Sequence, residues 1–163
     1  MSEVRVGEIM VTQPICFREN DTIKDAAKIM VEQDISSGPV VDHEGHLVGV
    51  LTESDVMWKG AESPMDHFIV PPVFIGAFDL FFFLKDNKAV ETEIRKILAQ
   101  KVSEAMTTEA RSVDPGTSIA EASKIMLQHR FNSLPVVQED KVVGLISRHD
   151  VLKALIAKHS QYL

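Results

Sequence analysis

The sequence predicts an α/β (α+β) fold: two pseudo-symmetric βαββα units packed through their sheets, with a partly helical insertion between them. Three observations predict it. The chain repeats itself when shifted by about 96 positions. Each copy carries an apolar stripe of helical period followed by two short β-branched runs. A unit of roughly 50 residues buries too little surface to be comfortably stable alone, so two such units must stack their apolar faces.

The repeat is ordered along its length. "VGEIMVT" from Val6 falls on "VSEAMTT" from Val102, and "TIKDAAKIM" from Thr22 on "SIAEASKIM" from Ser118. "ISSGPVV" from Ile35 falls on "FNSLPVV" from Phe131, and "LVGVLTESDVM" from Leu47 on "VVGLISRHDVL" from Val142. The register slips by one residue between "DHEGH" and "QEDK", where a hairpin turn absorbs it. The resulting expectation is a first repeat over 1–60, an inserted connector over 61–101 and a second repeat over 102–163.

Each copy has the same local plan. A short strand is expected around Ile15 to Phe17 and again around Ser112 to Val113. A helix follows, with Ile23, Ala26, Ala27 and Met30 on one face of the first copy and Ile119, Ala122, Ser123 and Met126 on the same face of the second. Thr22 with Asp25, and Ser118 with Glu121, have capping-box spacing. Two strands joined by a turn come next: Pro39 to Val41 with Leu47 to Leu51, and Pro135 to Val137 with Val142 to Ile146. Gly45 suits a positive φ in the first turn. A last helix opens at Thr52 or Ser147. In the connector, "NKAVETEIRKILAQ" reads as an amphipathic helix with Val90, Ile94 and Ile97 on its buried stripe, widened by Leu98, and Glu91 and Arg95 as an ion pair.

Composition narrows the function. The 163 residues are 45% apolar and 25% charged, the balance of a soluble globular protein. A net charge of −7 argues against a nucleic-acid partner, which demands a basic face. Cys16 stands alone, which leaves no intrachain disulfide framework, and its place on an expected buried strand suits a small hydrophobe. The beginning of the chain lacks the apolar core of a signal peptide, and the apolar run from Phe68 to Leu84, broken by Pro71, Pro72, Gly76 and Asp79, is short for a bilayer span. It is expected to be buried in the module or at a subunit contact, in a cytoplasmic protein with no membrane span. His43 and His46 with Asp42 and Glu44 are read as a polar hairpin tip rather than a metal site, because no second element anchors them.

The "EIM" and "EAM" openings, "SSGPVV" and "NSLPVV", and above all "GVLTESD" and "GLISRHD", resemble a tandem pair of cystathionine-β-synthase (CBS) domains, a Bateman-type regulatory module. The resemblance covers both repeats but not the connector. It implies binding of an adenine-containing ligand: AMP, ADP or ATP, with S-adenosylmethionine or NAD behind them. Carried over by position, one site joins Ile9, Ile35 and Ser36 to Leu145, Ser147, Arg148, His149 and Asp150, with Asn132 nearby. The pseudo-symmetric site joins Ala105, Phe131 and Asn132 to Val50, Thr52, Ser54 and Asp55.

Thr52 and Ser147 each follow a strand and open a helix, where free N–H groups and the helix dipole favour a phosphate. Asp55 and Asp150 can accept hydrogen bonds from a ribose diol. The same spacing is also a capping box that needs no ligand, and both readings stand at this point. Arg148 and His149, with Arg130 approaching, favour an anion at the Asp150 site, whereas Glu53 opposes one at the Asp55 site. The expected protein is therefore a stand-alone sensor of adenine nucleotides, not an enzyme, acting as a homodimer on an unidentified protein target. The alternative is a structural oligomerisation module with empty clefts.

Overall fold

The computed structural model describes residues 3–58 and 88–159. In chain order the elements are α1 (Val6–Ile9), β1 (Val11–Thr12), β2 (Phe17–Arg18), α2 (Ile23–Glu32), β3 (Ser37–Val41), β4 (Leu47–Thr52) and α3 (Glu53–Trp58). Then follow α4 (Lys88–Ala99), α5 (Val102–Ala105), α6 (Ile119–His129), β5 (Ser133–Gln138), β6 (Lys141–Ser147) and α7 (Arg148–His159).

The helix signals act as the sequence indicates. Thr22 accepts from the N–H of Asp25, and Ser118 from the N–H of Glu121, each at 3.2 Å. Both helices end through a left-handed residue, Asp34 (φ 51°) and Arg130 (φ 57°). The next residue turns its N–H back onto the helix: Ile35 donates to the Met30 carbonyl at 3.0 Å, and Phe131 to the Met126 carbonyl at 2.9 Å. That is the helix-ending pattern in which a left-handed residue brings two N–H groups onto orphan carbonyls. Ile23, Ala26 and Met30 bury one face of α2, and Ala122 and Met126 bury that of α6. The connector helix forms as α4, and Leu98 packs on the first copy's core. The side chains of Val90, Glu91 and Ile94, and the whole Phe68 to Leu84 run, lie outside the described residues.

The hairpins account for the slip in register. β5 and β6 join through Glu139 and Asp140, with φ of 52° and 65°. Two consecutive positive φ values make the tight turn whose twist matches the strands. The β3–β4 loop is longer, running over Asp42 to His46, and its Gly45 adopts φ 88°. The expected strand around Ser112 to Val113 reduces to a single parallel bridge from Val113 to Val136, and the first strand begins at Phe17 rather than Ile15.

The sheets reveal an exchange that the local pattern does not predict. One sheet has the order β2-β3-β4, but the other is β1-β6-β5, so β1 of the first copy pairs with the second. Val6 donates its N–H to the Thr117 carbonyl, and Gly7 to that of Pro115, each at 2.8 Å. In return Val102 donates to the Asp21 carbonyl, and Val50 and Thr107 exchange both backbone hydrogen bonds. The buried apolar residues accordingly form two clusters, each completed by the other copy. Val6, Ile9 and Met10 join Val113, Met126, Leu134 and Ile146; Val102, Ala105 and Met106 join Phe17, Ile23, Val40 and Leu51.

Candidate functional site

The leading segments α1 and α5 place one copy's residues beside the other copy's helix start. α1 touches β6 and α7, and Val11 pairs with Leu145, which sets Ile9 near Leu145, Ser147 and Asp150. Equivalently, α5 touches β4, and the Val50–Thr107 bridge sets Ala105 near Val50, Thr52 and Asp55.

The two helix starts are matched bond for bond. Thr52 donates its N–H (2.9 Å) and its hydroxyl (3.0 Å) to Asp55 Oδ2, and Asp55 returns its N–H to Thr52 Oγ1 at 3.2 Å. Ser147 donates its N–H (2.9 Å) and hydroxyl (2.6 Å) to Asp150 Oδ2, and Asp150 N–H returns to Ser147 Oγ at 3.2 Å. Each set is a complete capping box. The following N–H is also used, Glu53 on the Ser36 carbonyl at 2.8 Å and Arg148 on the Asn132 carbonyl at 3.0 Å.

This geometry corrects one premise of the sequence reading, that these helix starts offer free N–H groups. Three of the first four donors in each case already have protein acceptors, because the aspartate reaches back and the chain before β3 or β5 supplies a carbonyl. What remains toward a ligand is at most one backbone N–H at each helix start, together with side-chain chemistry. Both protein bonds to the Asp150 carboxylate use Oδ2, and among the described residues Oδ1 takes none. An ionised carboxylate oxygen of that kind accepts a hydroxyl well.

Arg148 turns its guanidinium onto the end of α6. Its Nε donates to the Phe131 carbonyl at 2.8 Å and its Nη2 to the Met126 carbonyl at 3.1 Å. The guanidinium thus neutralises the carbonyl end of α6, a favourable place for a cation. His149 and Ser54 are exposed at equivalent positions, as is Glu53, and Arg130 is exposed at the end of α6. The remaining members of the carried-over sites divide between the copies. Ile35 packs on the first core and Phe131 on the second, where its ring stacks on His129 at 5.6 Å. They connect to the opposite helix start through Ser37 and Ser133, whose hydroxyl oxygens lie 3.5 Å apart. Ser37 is paired with Thr52, and Ser133 with Ser147.

The β3–β4 tip gathers Asp42, Glu44 and His46, with ligand-type atoms within 4.8 Å of one another. Asp42 Oδ1 accepts the N–H groups of Glu44 (2.8 Å) and His46 (2.9 Å), so the cluster closes the turn. Those backbone bonds, that of His46 foremost, hold the Asp42 carboxyl down at about 2. Burial pushes the Cys16 thiol up, away from thiolate reactivity.

A duplicated α/β unit whose copies exchange leading segments, with two matched hydroxyl–aspartate helix starts, defines a tandem two-repeat module. The CBS domain family matches residues 6–61 and 102–157, and the chain belongs to that family. An uncharacterised protein of Methanocaldococcus jannaschii is 30% identical over 158 residues, 92% of this chain and 94% of its own length. Two solved structures share the fold. One is CBSX2 in complex with AMP (TM-score 0.68, 23% identity, covering 94% of this chain and 97% of that one). The other is the CBS domain pair of an M. jannaschii protein in complex with 5′-methylthioadenosine and S-adenosyl-L-methionine (TM-score 0.65, 23% identity, covering 96% and 99%). No helix among the described residues is long and apolar enough to cross a membrane.

Proposed function

We propose that the chain is a non-catalytic cytoplasmic regulatory module that binds an adenine nucleotide (AMP, ADP or ATP) in clefts between its two copies and relays binding as a conformational or packing change. The observation that supports this reading is that α1 packs on β6 and α7 with Val11 paired to Leu145, and α5 packs on β4 with Val50 bridged to Thr107, so that each leading segment meets the other copy's hydroxyl–aspartate helix start. Each meeting places a hydroxyl and a carboxylate, suited to ribose and phosphate, against an apolar surface suited to a base. The adenine compounds bound by CBSX2 and by the M. jannaschii pair support the ligand class. A homodimer that passes the change to a protein target completes the reading, since binding shifts only an equilibrium between states of different affinity. Titration with AMP, ADP, ATP, S-adenosylmethionine and NAD tests it. At a hundredfold excess over Kd, a ligand specific for the folded state stabilises by about 2.7 kcal/mol. For a chain of this size that is a rise in Tm of roughly 5–10 °C.

The fully satisfied capping boxes favour a second reading, a structural oligomerisation module with empty clefts, because both helix starts are stable without a ligand. Absence of a Tm shift with every compound in the panel decides for it.

A further inference from the structure

We propose that Arg148 is a positioning residue that couples the two clefts, holding the base-side wall of one to the helix start of the other. The coupling role rests on the two-cleft reading above; the clamp itself rests only on hydrogen bonds. Arg148 lies between Ser147 and Asp150, in the first cleft. Three of its donors reach the end of α6 and the segment that leads into β5: backbone N–H to Asn132, Nε to Phe131 and Nη2 to Met126. Phe131 is assigned to the second cleft and Asn132 to both, and His129 stacks on Phe131 with an interplanar angle of 20°. A displacement of the Ser147–Asp150 helix start therefore pulls on the wall facing Thr52 and Asp55.

The first copy lacks the device. Glu53 occupies the equivalent position and keeps the backbone bond, to Ser36 at 2.8 Å. Its carboxylate has no N–H to give to the carbonyls of Met30 and Ile35. One backbone bond there stands against one backbone and two charge-assisted bonds here, and charge-assisted bonds are the stronger kind. The module is thus mechanically lopsided although its folds are matched.

The test compares the full chain with Arg148→Met, which keeps the stem and deletes the donors, and Arg148→Lys, which keeps the charge. Amide hydrogen exchange without ligand reads the clamp. In Arg148→Met the amides of Arg130 and Phe131 should exchange roughly tenfold faster, while those of Asp34 and Ile35 stay unchanged. Arg148→Lys should fall between. Equal exchange in all three proteins overturns the clamp. AMP calorimetry then reads the coupling in an Asp150→Ala background, where the Thr52–Asp55 cleft carries the binding. Adding Arg148→Met should weaken AMP severalfold, with partial rescue by Lys. If Tm falls but this affinity is unchanged, Arg148 is merely structural and the positioning role is wrong. If AMP fails to bind the unmutated chain, the proposed function falls instead, and the exchange comparison still decides the clamp.

Discussion

Ser37 and Ser133 occupy the same position in the two copies, and their hydroxyl oxygens lie 3.5 Å apart. Equivalent residues meet only on the axis that relates the copies, so this contact marks the pseudo-twofold axis. His46 and Lys141, also equivalent once the hairpin slip is counted, mark it again by their antiparallel bridge. Around that bridge the bonds are reciprocal: Leu47 donates to the Asp140 carbonyl at 3.2 Å and Val142 to that of Gly45 at 3.3 Å. The two proposed clefts fall on either side of this line.

The axis can be trapped covalently. With Cys16 replaced by serine, Ser37→Cys with Ser133→Cys should oxidise to an intramolecular disulfide, detected as loss of two hydrogens by mass spectrometry. Closing so long a loop should raise stability by up to about 4–5 kcal/mol, less any strain. Free thiols after mild oxidation, or only crosslinked dimers, would contradict the placement.

The exchanged leading segments make Gly49 and Gly144 sensitive. A Cβ on Gly49 would lie 2.6 Å from the Met106 sulfur and 2.9 Å from the Thr107 carbonyl oxygen. On Gly144 it would collide with Met10 and stand 3.0 Å from the Val11 carbonyl oxygen. The methionines can swing aside, but the paired backbone cannot. Gly49→Ala and Gly144→Ala should each cost about 1–3 kcal/mol in urea unfolding. A loss within error of zero in both would mean that the segments do not pack across copies as described.

Asp42 predicts an acid dependence. Its carboxyl is lowered from 3.8 to about 2, first by the backbone N–H of His46. A folded-state value below the unfolded one gives stability that is present above pH 3.8 and is lost as the pH falls through about 2. Asp42→Ala should therefore be less stable than the unmutated chain at neutral pH, with the difference narrowing between those limits. Parallel unfolding curves at pH 7 and pH 2 with the same gap would refute it.

The clefts should differ in anion affinity through His149 and Glu53, now that Arg148 is occupied at α6. Asp150→Ala should remove most of the AMP-dependent Tm rise, and Asp55→Ala should leave most of it. Glu53→Gln should enlarge the Asp55 cleft's share by removing a negative charge. Each aspartate change also breaks a capping box worth about 1 kcal/mol, so unliganded Tm is the baseline. Equal ligand shifts in the two alanine variants would end the asymmetry argument.

The sequence by itself determined the repeat, α2 and α6 with their caps, the paired hairpins and the turn that absorbs the one-residue slip. These are local matters: a threonine or serine before an apolar stripe, or a glycine at positive φ, acts within a few residues of itself. The hydroxyl–aspartate pairs were legible too, as chemistry if not as occupancy. Three features were decided only by the tertiary structure. Val6 and Val102 look alike in sequence, and nothing in a four-residue helix says which copy's core it enters; burial and a free strand edge decide that. Phe131 and Asn132 offer carbonyls, which every residue has, so the Arg148 clamp has no motif. The filled donors of the two helix starts depend on where Ser36 and Asn132 are carried by chain far from them. Periodicity reports which face of an element is apolar; only the assembled copies determine what that face meets.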